Sequence, residues 1–95
     1  MDENKYPAPH PQVAARVVDG SAVIVLADSG TVTVLNEVGT RVWELIDGRL
    51  SVGAIARMIE SEYDVSLDQA ARDVQELIQQ LADAQAIVLN AKALA

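Results

Sequence analysis

The hydrophobic residues of this chain fall into two kinds of pattern, one after the other. Between residues 13 and 35, β-branched and aliphatic side chains gather in three short runs, separated by Asp19-Gly20 and by Asp28-Ser29-Gly30. Asp-Gly favours a tight hairpin because both central residues of a type I′ turn need a positive φ. The pattern predicts a meander, with the second strand in the middle, of strands at residues 13–18, 21–27 and 31–35.

Helical spacing begins directly after the third predicted strand. Asn36 is suited to cap a helix over residues 37–47, and Gly48 is suited to end it. The apolar positions of this first helix stand at i, i+4, i+7 and i+8, which places them on one face. They are Val38, Val42, Leu45 and Ile46.

Two further helices follow, and each begins at a serine. Ser51 caps the second helix, and Ser66 opens the third with Gln69 in the position of a capping box. The predicted fold class is therefore α+β: a three-stranded antiparallel β-meander followed by three helices, in a winged helix-turn-helix-like arrangement. The apolar stripes are Val52, Ile55, Ala56, Ile59 and Tyr63 in the second helix, and Leu67, Ala70, Val74, Leu77 and Leu81 in the third.

The two ends of the chain are predicted to lie outside the folded domain. Residues 1–12 carry three alternating prolines, which fix φ and lack an N–H, so this arm is expected to be extended or disordered, and flexible. Residues 13–90 form the domain, and their last apolar piece, residues 86–89, fits either a strand or a helix extension. Residues 91–95 are expected to be a flexible tail.

The composition narrows the classes of function. The 95 residues make one small domain with a net charge of −7, which opposes binding to the phosphate backbone of nucleic acids. The sequence has no cysteine, which excludes a disulfide framework and a thiolate metal site. The first residues are polar, and the longest apolar stretch, residues 22–27, is far short of the ~20 residues that a membrane helix needs. We expect a cytoplasmic protein that binds neither nucleic acid nor membrane.

No residue pattern in the sequence points to catalysis. His10 is the only histidine and lies in the proline-rich arm, so the serines have no partner for a catalytic triad. The acidic residues of the third helix lack the spacing and the glycine of a calcium loop, and no glycine-rich phosphate loop occurs. We expect a protein that is not an enzyme and that holds no metal or cofactor.

The third predicted strand is the first candidate for a binding function. It lies at the edge of the meander, yet it contains none of the lysines, prolines or charges that guard natural sheet edges. Such an edge is covered by a segment of the same chain, here residues 86–89, or by a second copy, or it accepts a foreign strand. Its candidate contact residues are Thr31, Val32, Thr33, Val34 and Leu35.

The third predicted helix is the second candidate. One flank of its apolar stripe is polar, and the other flank is small or apolar. Two explanations are open: a small domain buries more of this helix, or the apolar flank lines a groove. If that flank faces the third strand, a peptide paired with the strand would contact Ala71, Val74, Gln75 and Ile78. Arg72 is either solvated or pairs with an acidic residue of the peptide. Replacing Ile78 by Glu is then expected to weaken binding without unfolding the domain.

One stretch of the chain resembles a known family. Residues 35–48 contain the pattern Leu-Asn-x-x-Gly-x-x-x-Trp-x-Leu-x-x-Gly, and the resemblance extends over residues 13–88. The pattern resembles the PqqD family and the wider group of RiPP recognition elements, which bind leader peptides of ribosomally made, modified peptides. In place of the family's glycine-leucine turn after the third helix, the chain has Gln85-Ala86-Ile87. Further matching residues are Ile55, Tyr63, Asp73, Val74, Leu77 and Leu81.

The resemblance implies a non-catalytic adaptor, or peptide chaperone. Members of the family hold a precursor's leader peptide as an added strand beside the third strand and against the third helix, and present it to a modifying enzyme. That partner is a radical S-adenosylmethionine (SAM) maturase, as in pyrroloquinoline quinone biosynthesis, or a leader peptidase, as in lasso peptide pathways. The sequence leaves two other hypotheses open, a winged-helix DNA-binding regulator and a self-associating module such as a homodimer.

Overall fold

The computed structural model of the protein describes residues 3–26 and 29–94. The predicted strand end at Ala27 and the predicted turn residue Asp28 lie outside the described residues, as do residues 1, 2 and 95 of the predicted arm and tail. In chain order the elements are β1 (Tyr6–Pro9), β2 (Val13–Val18), β3 (Ser21–Leu26), β4 (Val32–Val34), α1 (Glu37–Leu45), α2 (Val52–Glu62), α3 (Leu67–Asp83) and β5 (Ile87–Asn90).

The predicted meander is confirmed as a three-stranded antiparallel sheet in the order β2-β3-β4. Ile24 of the middle strand lies opposite Ala15 of β2 and Thr33 of β4. At the turn between β2 and β3, Asp19 and Gly20 have φ values of 53° and 80°, which are the positive values that an Asp-Gly hairpin requires.

The three predicted helices are confirmed, and each begins at its predicted cap. Asn36, Ser51 and Ser66 each accept a hydrogen bond from the backbone N–H three residues further on, at 2.8, 3.1 and 3.2 Å. At Ser66 the serine half of the predicted capping box is formed, and the Gln69 amide donates to Asp73 at 2.8 Å.

The hydrophobic core lies between the inner face of the β2-β3-β4 sheet and the helices. Ala22 and Ile24 of β3 are fully buried in it. Because the apolar stripes of the helices face the same space, the domain has one continuous aliphatic core. The helices contribute Val42, Leu45, Val52, Ile55, Ala56, Ile59, Ala70, Val74, Ile78 and Leu81.

The amino-terminal arm is part of the fold, which corrects its predicted exclusion from the domain. β1 pairs antiparallel with β5, and Ala8 lies opposite Val88. The residues of a strand direct their N–H and C=O groups alternately to its two edges. The Pro7 carbonyl accepts a hydrogen bond from Gly48 at 2.8 Å, on the edge away from β5. Pro7 and Pro9 therefore lack their N–H on that outer edge, so alternating prolines are compatible with the pairing.

The residues before β1 bind the start of α2. The first N–H groups of a helix have no acceptor within the helix itself. Here the Lys5 carbonyl accepts from Val52 at 2.9 Å, and the Glu3 carbonyl accepts from Gly53 at 3.0 Å. The predicted tail also contacts the domain, since the Leu94 N–H donates to the Gly48 carbonyl at 2.9 Å.

Two neighbouring residues of β1 distinguish a packed strand from a flexible arm. Ala8 is 7% exposed, whereas Pro9 is exposed. We expect Ala8→Glu to lower the free energy of unfolding by more than about 2 kcal/mol, because it overpacks the site and buries a charge. Pro9→Glu adds the same charge at the surface and is expected to change it by less than about 0.5 kcal/mol. Equal effects in chemical denaturation would contradict the packing of β1.

Among the helices of the described residues, none combines the length and hydrophobicity that a bilayer span requires.

Candidate functional site

The free edge of the β2-β3-β4 sheet runs along β4. The Leu35 N–H donates to the Ala22 carbonyl of β3 at 2.9 Å. Because backbone groups alternate between the two edges of a strand, Leu35 and Thr33 direct theirs toward β3. The N–H and C=O groups of Val32 and Val34 therefore point to the open edge, where no described residue pairs with them.

Within the described residues, the carboxy-terminal segment leaves this edge uncovered, because β5 pairs with β1. The alternative in which residues 86–89 cover the third predicted strand is thereby excluded. The side chains of Val32 and Val34, 57% and 64% exposed, lie on the outer face of the sheet. Thr33 lies opposite the buried Ile24, so it shares the inner face.

A groove of about 670 Å³ lies beside this edge, between β4 and the helices. Its volume is in the range of small-molecule pockets, which is enough for a few side chains of an extended peptide. The groove is lined by Thr33, Val34, Leu35 and Asn36 from β4 and the following turn, Val38, Gly39 and Val42 from α1, Ile59, Tyr63 and Val65 from the end of α2 and its turn, and Asp73, Val74, Glu76, Leu77 and Gln80 from α3.

The structure brings only some of the predicted contact residues into this groove. Thr33, Val34, Leu35 and Val74 line it. Val32 presents its backbone at the open edge, and the Thr31 carbonyl accepts from Leu26 of β3 at 2.9 Å.

The wall of the groove is the flank of α3 that carries Asp73, Glu76 and Gln80. The sequence predicted the opposite flank, so this corrects the prediction. Ala71, Arg72, Gln75 and Ile78 do not line the groove. The Gln75 amide donates to Glu3 at 3.1 Å, so the amino-terminal segment lies along the predicted flank. Ile78 is fully buried in the core. The expectation that Ile78→Glu preserves the fold is therefore wrong, because it would bury an unpaired carboxylate.

The charged residues that line the groove are Asp73 and Glu76, both exposed on α3. Among the described residues, neither forms an ion pair. The Arg41 guanidinium lies outside the lining and donates to both carboxylate oxygens of Glu62, at 2.7 and 2.9 Å, which holds the pKa of Glu62 below its usual value. Within the same part of the chain, no three His, Cys, Asp or Glu side chains cluster as metal ligands do.

A second concavity, near the carboxyl end of α3, is much smaller. It has a volume of about 150 Å³ and includes His10 and Asp83 in its lining. His10 Nδ1 accepts a hydrogen bond from the Gln12 N–H at 3.1 Å, which gives this histidine a role in the turn between β1 and β2. The space is smaller than the roughly 300–1,000 Å³ of ordinary ligand pockets.

A family model described as coenzyme PQQ synthesis protein D (PqqD) matches residues 21–87, from β3 to the start of β5. The chain belongs to the PqqD family. The resemblance predicted from the sequence is thereby confirmed. A comparison with curated proteins finds no significant match.

Two solved structures are similar to this PqqD family chain. TbiB1, in complex with the TbiA(beta) leader peptide, is 25% identical with a TM-score of 0.78, over 84% of this chain and 93% of that one. Lasso peptide synthetase B1, complexed with the leader peptide, is 25% identical with a TM-score of 0.76, over 87% of this chain and 98% of that one. Both are relatives that were solved with a leader peptide bound.

The PqqD pattern at residues 35–48 builds the corner between β4 and α1, next to the groove. Leu35 is buried, and Asn36 caps α1. A Cβ at Gly39 would lie 3.1 Å from Asn36 Oδ1 and 3.3 Å from Leu35 Cβ. The glycine therefore allows the helix to begin directly against the strand, and the corner places α1 along one side of the groove.

Sequence reasoning missed Thr40, which ties this corner to β3. Thr40 Oγ1 accepts from the Ala22 N–H at 2.8 Å and donates to the Leu35 carbonyl at 3.3 Å. The hydroxyl stands between two backbone groups that would otherwise pair directly in the ladder. Thr40 lies away from the apolar stripe of α1, so its position in the sequence carried no signal of burial.

Removing the Thr40 hydroxyl is expected to destabilise the domain. Thr40→Val keeps the shape of the side chain but leaves the Ala22 N–H and the Leu35 carbonyl unpaired in a site that is 5% exposed. We expect a loss of about 1–3 kcal/mol in the free energy of unfolding, measured with urea. Thr33→Val, at a half-buried threonine of β4, is the control and is expected to have little effect; a similar loss in both variants would contradict the bridging role.

Proposed function

We propose that this PqqD family chain is a non-catalytic RiPP recognition element that binds the leader of a precursor peptide by strand addition to β4, beside α3. One observation carries the proposal: the N–H and C=O groups of Val32 and Val34 have no partner among the described residues, and they lie beside a groove that is lined by α3. Strand addition satisfies such groups and supplies affinity, while pockets for alternate side chains supply specificity. The two similar structures were solved in complex with leader peptides, which supports a leader peptide as the ligand.

In this proposal the strand and the helices have separate roles. The N–H and C=O groups of Val32 and Val34 hold the peptide backbone, in the middle of the predicted Thr31–Leu35 contact. Apolar side chains of the peptide that point inward meet Val74 and Leu77 of α3 and Val38 and Val42 of α1. Leu77 therefore replaces Ile78 as the proposed contact residue of α3.

The partner that receives the bound peptide is a leader peptidase or a radical SAM maturase. The name of one similar structure, lasso peptide synthetase B1, supports the peptidase of a lasso peptide pathway. The family's name, coenzyme PQQ synthesis protein D, supports the maturase. We propose the lasso branch, because the structural similarity covers nearly the whole of that relative, 98% of its chain.

A titration tests the proposal directly. Labelled leader segments are taken from short reading frames that neighbour the gene, added to the full ¹⁵N-labelled chain, and followed by affinity and by amide chemical shifts. We expect micromolar or tighter binding, with the largest shifts at Val32, Val34 and Leu77. A folded domain that binds no leader segment, or shifts confined to the opposite edge at Ala15, would overturn the proposal.

The open edge of β4 also suits a second copy of the chain, which would pair with it in the same way. Sedimentation over a range of concentrations separates the two occupants, because self-association raises the mass with concentration and a leader peptide would then compete with it. The DNA-binding alternative gains no support from α3, which presents Asp68, Asp73 and Glu76 around Arg72.

A further inference from the structure

The charges that line the groove have one sign. Asp73 and Glu76 stand three residues apart on α3, so they are neighbours on the helix surface and repel each other. Neither has a cationic partner among the described residues. Arg72 directly precedes Asp73 in the sequence, but it does not line the groove. The net charge of −7 adds a field that attracts cations. We call these two residues the acidic rim of the groove. A cation from a ligand would relieve the repulsion between them.

The apolar floor lies beside this acidic rim. Val42 and Ile59 are 1% and 2% exposed, and half-buried Leu77 adjoins them in the lining. A peptide paired with β4 directs every second side chain to the same face. One apolar residue on that face would cover the floor, and its neighbour two positions away would reach the rim of α3.

We propose that the groove selects peptides with a Lys or Arg two positions from the apolar residue that covers its floor. The aliphatic stem of such a residue packs along apolar surface, while its charged head reaches Asp73 and Glu76. This inference rests on the proposed function and specifies the chemical class of its ligand. It replaces the expectation of an acidic peptide residue paired with Arg72.

A displayed library of random 12-residue peptides tests this preference without knowledge of the natural leader. The baits are the full-length chain, the double variant Asp73→Asn/Glu76→Gln, and the control Glu60→Gln. Both substitutions in the double variant keep side-chain size, and an amide oxygen at position 73 still accepts from Gln69. Glu60 is an exposed acid of α2 that does not line the groove, so its variant shows the effect of losing one negative charge outside the groove.

We expect the wild-type and Glu60→Gln baits to enrich Lys and Arg two positions from an apolar residue. The double variant is expected to keep the apolar preference and to lose the basic one. In a selected peptide, Lys→Gln is expected to weaken binding to the wild-type chain by about three- to tenfold at low salt, and binding to the double variant by less than about twofold.

Three outcomes would overturn the inference, and they separate it from the proposed function. Equal enrichment of basic residues by all baits would indicate attraction by net charge alone. Selected peptides that shift the amides of Val32 and Val34 but lack the basic residue would leave the proposed function intact and remove the preference. If no bait selects a peptide that shifts these amides, both the proposed function and this inference fail.

Discussion

Val34→Pro is expected to weaken peptide binding at β4 strongly while the domain stays folded. The Val34 N–H points to the open edge, so its loss breaks no bond to β3. Proline is tolerated at such edge positions. The substitution removes a donor worth about 0.5–1.5 kcal/mol, and the ring also occupies the space where the peptide backbone would lie. We expect the affinity for a leader segment to fall at least about tenfold, measured by fluorescence anisotropy.

The opposite edge of the same sheet offers a matched control. Residues 14, 16 and 18 of β2 direct their backbone groups to β3, so the Ala15 N–H points to the other free edge. Ala15→Pro therefore removes an equivalent donor far from the groove and is expected to leave affinity unchanged. Equal loss of binding in both variants would indicate general damage to the sheet, and unchanged binding in Val34→Pro would exclude strand addition at β4.

The features that could be predicted from the sequence are set by residues close to one another in the chain. The caps at Asn36, Ser51 and Ser66 need only a side chain and an N–H three residues further on, and the Asp19-Gly20 turn needs only two positive φ values. The pattern of residues 35–48 predicted the family for the same reason, because it encodes one local corner.

The features that could not be predicted depend on contacts between distant parts of the chain. The prolines of the arm suggested flexibility, yet Tyr6 pairs with Asn90 near the other end of the chain. This pairing brings Glu3 next to Gln75, so the amino-terminal segment covers the flank of α3 that polarity had suggested for the groove. The groove therefore lies on the more acidic flank, which periodicity within α3 alone could not reveal.

Adjacent residues of α3 are expected to separate stability from binding. Ile78→Ala should lower the free energy of unfolding by about 2–4 kcal/mol, because Ile78 is fully buried and the truncation leaves a cavity. The affinity of the remaining folded molecules for a leader segment should change by less than about twofold, since Ile78 does not line the groove. Chemical denaturation and titration of the same samples measure the two effects.

Leu77→Gln should have the opposite profile. Leu77 is half-buried and lines the groove, and glutamine keeps similar length and helix propensity. We expect a loss of stability near 1 kcal/mol, as for a partly exposed leucine, and a loss of affinity of about tenfold, because the apolar surface that the peptide covers becomes polar. The contrary outcome is that Ile78→Ala lowers the affinity for the peptide more than Leu77→Gln does, in samples shown to be folded. The wall of the site would then lie on the flank of α3 that carries Gln75. The assignment of the groove to Asp73, Glu76 and Leu77 would be wrong.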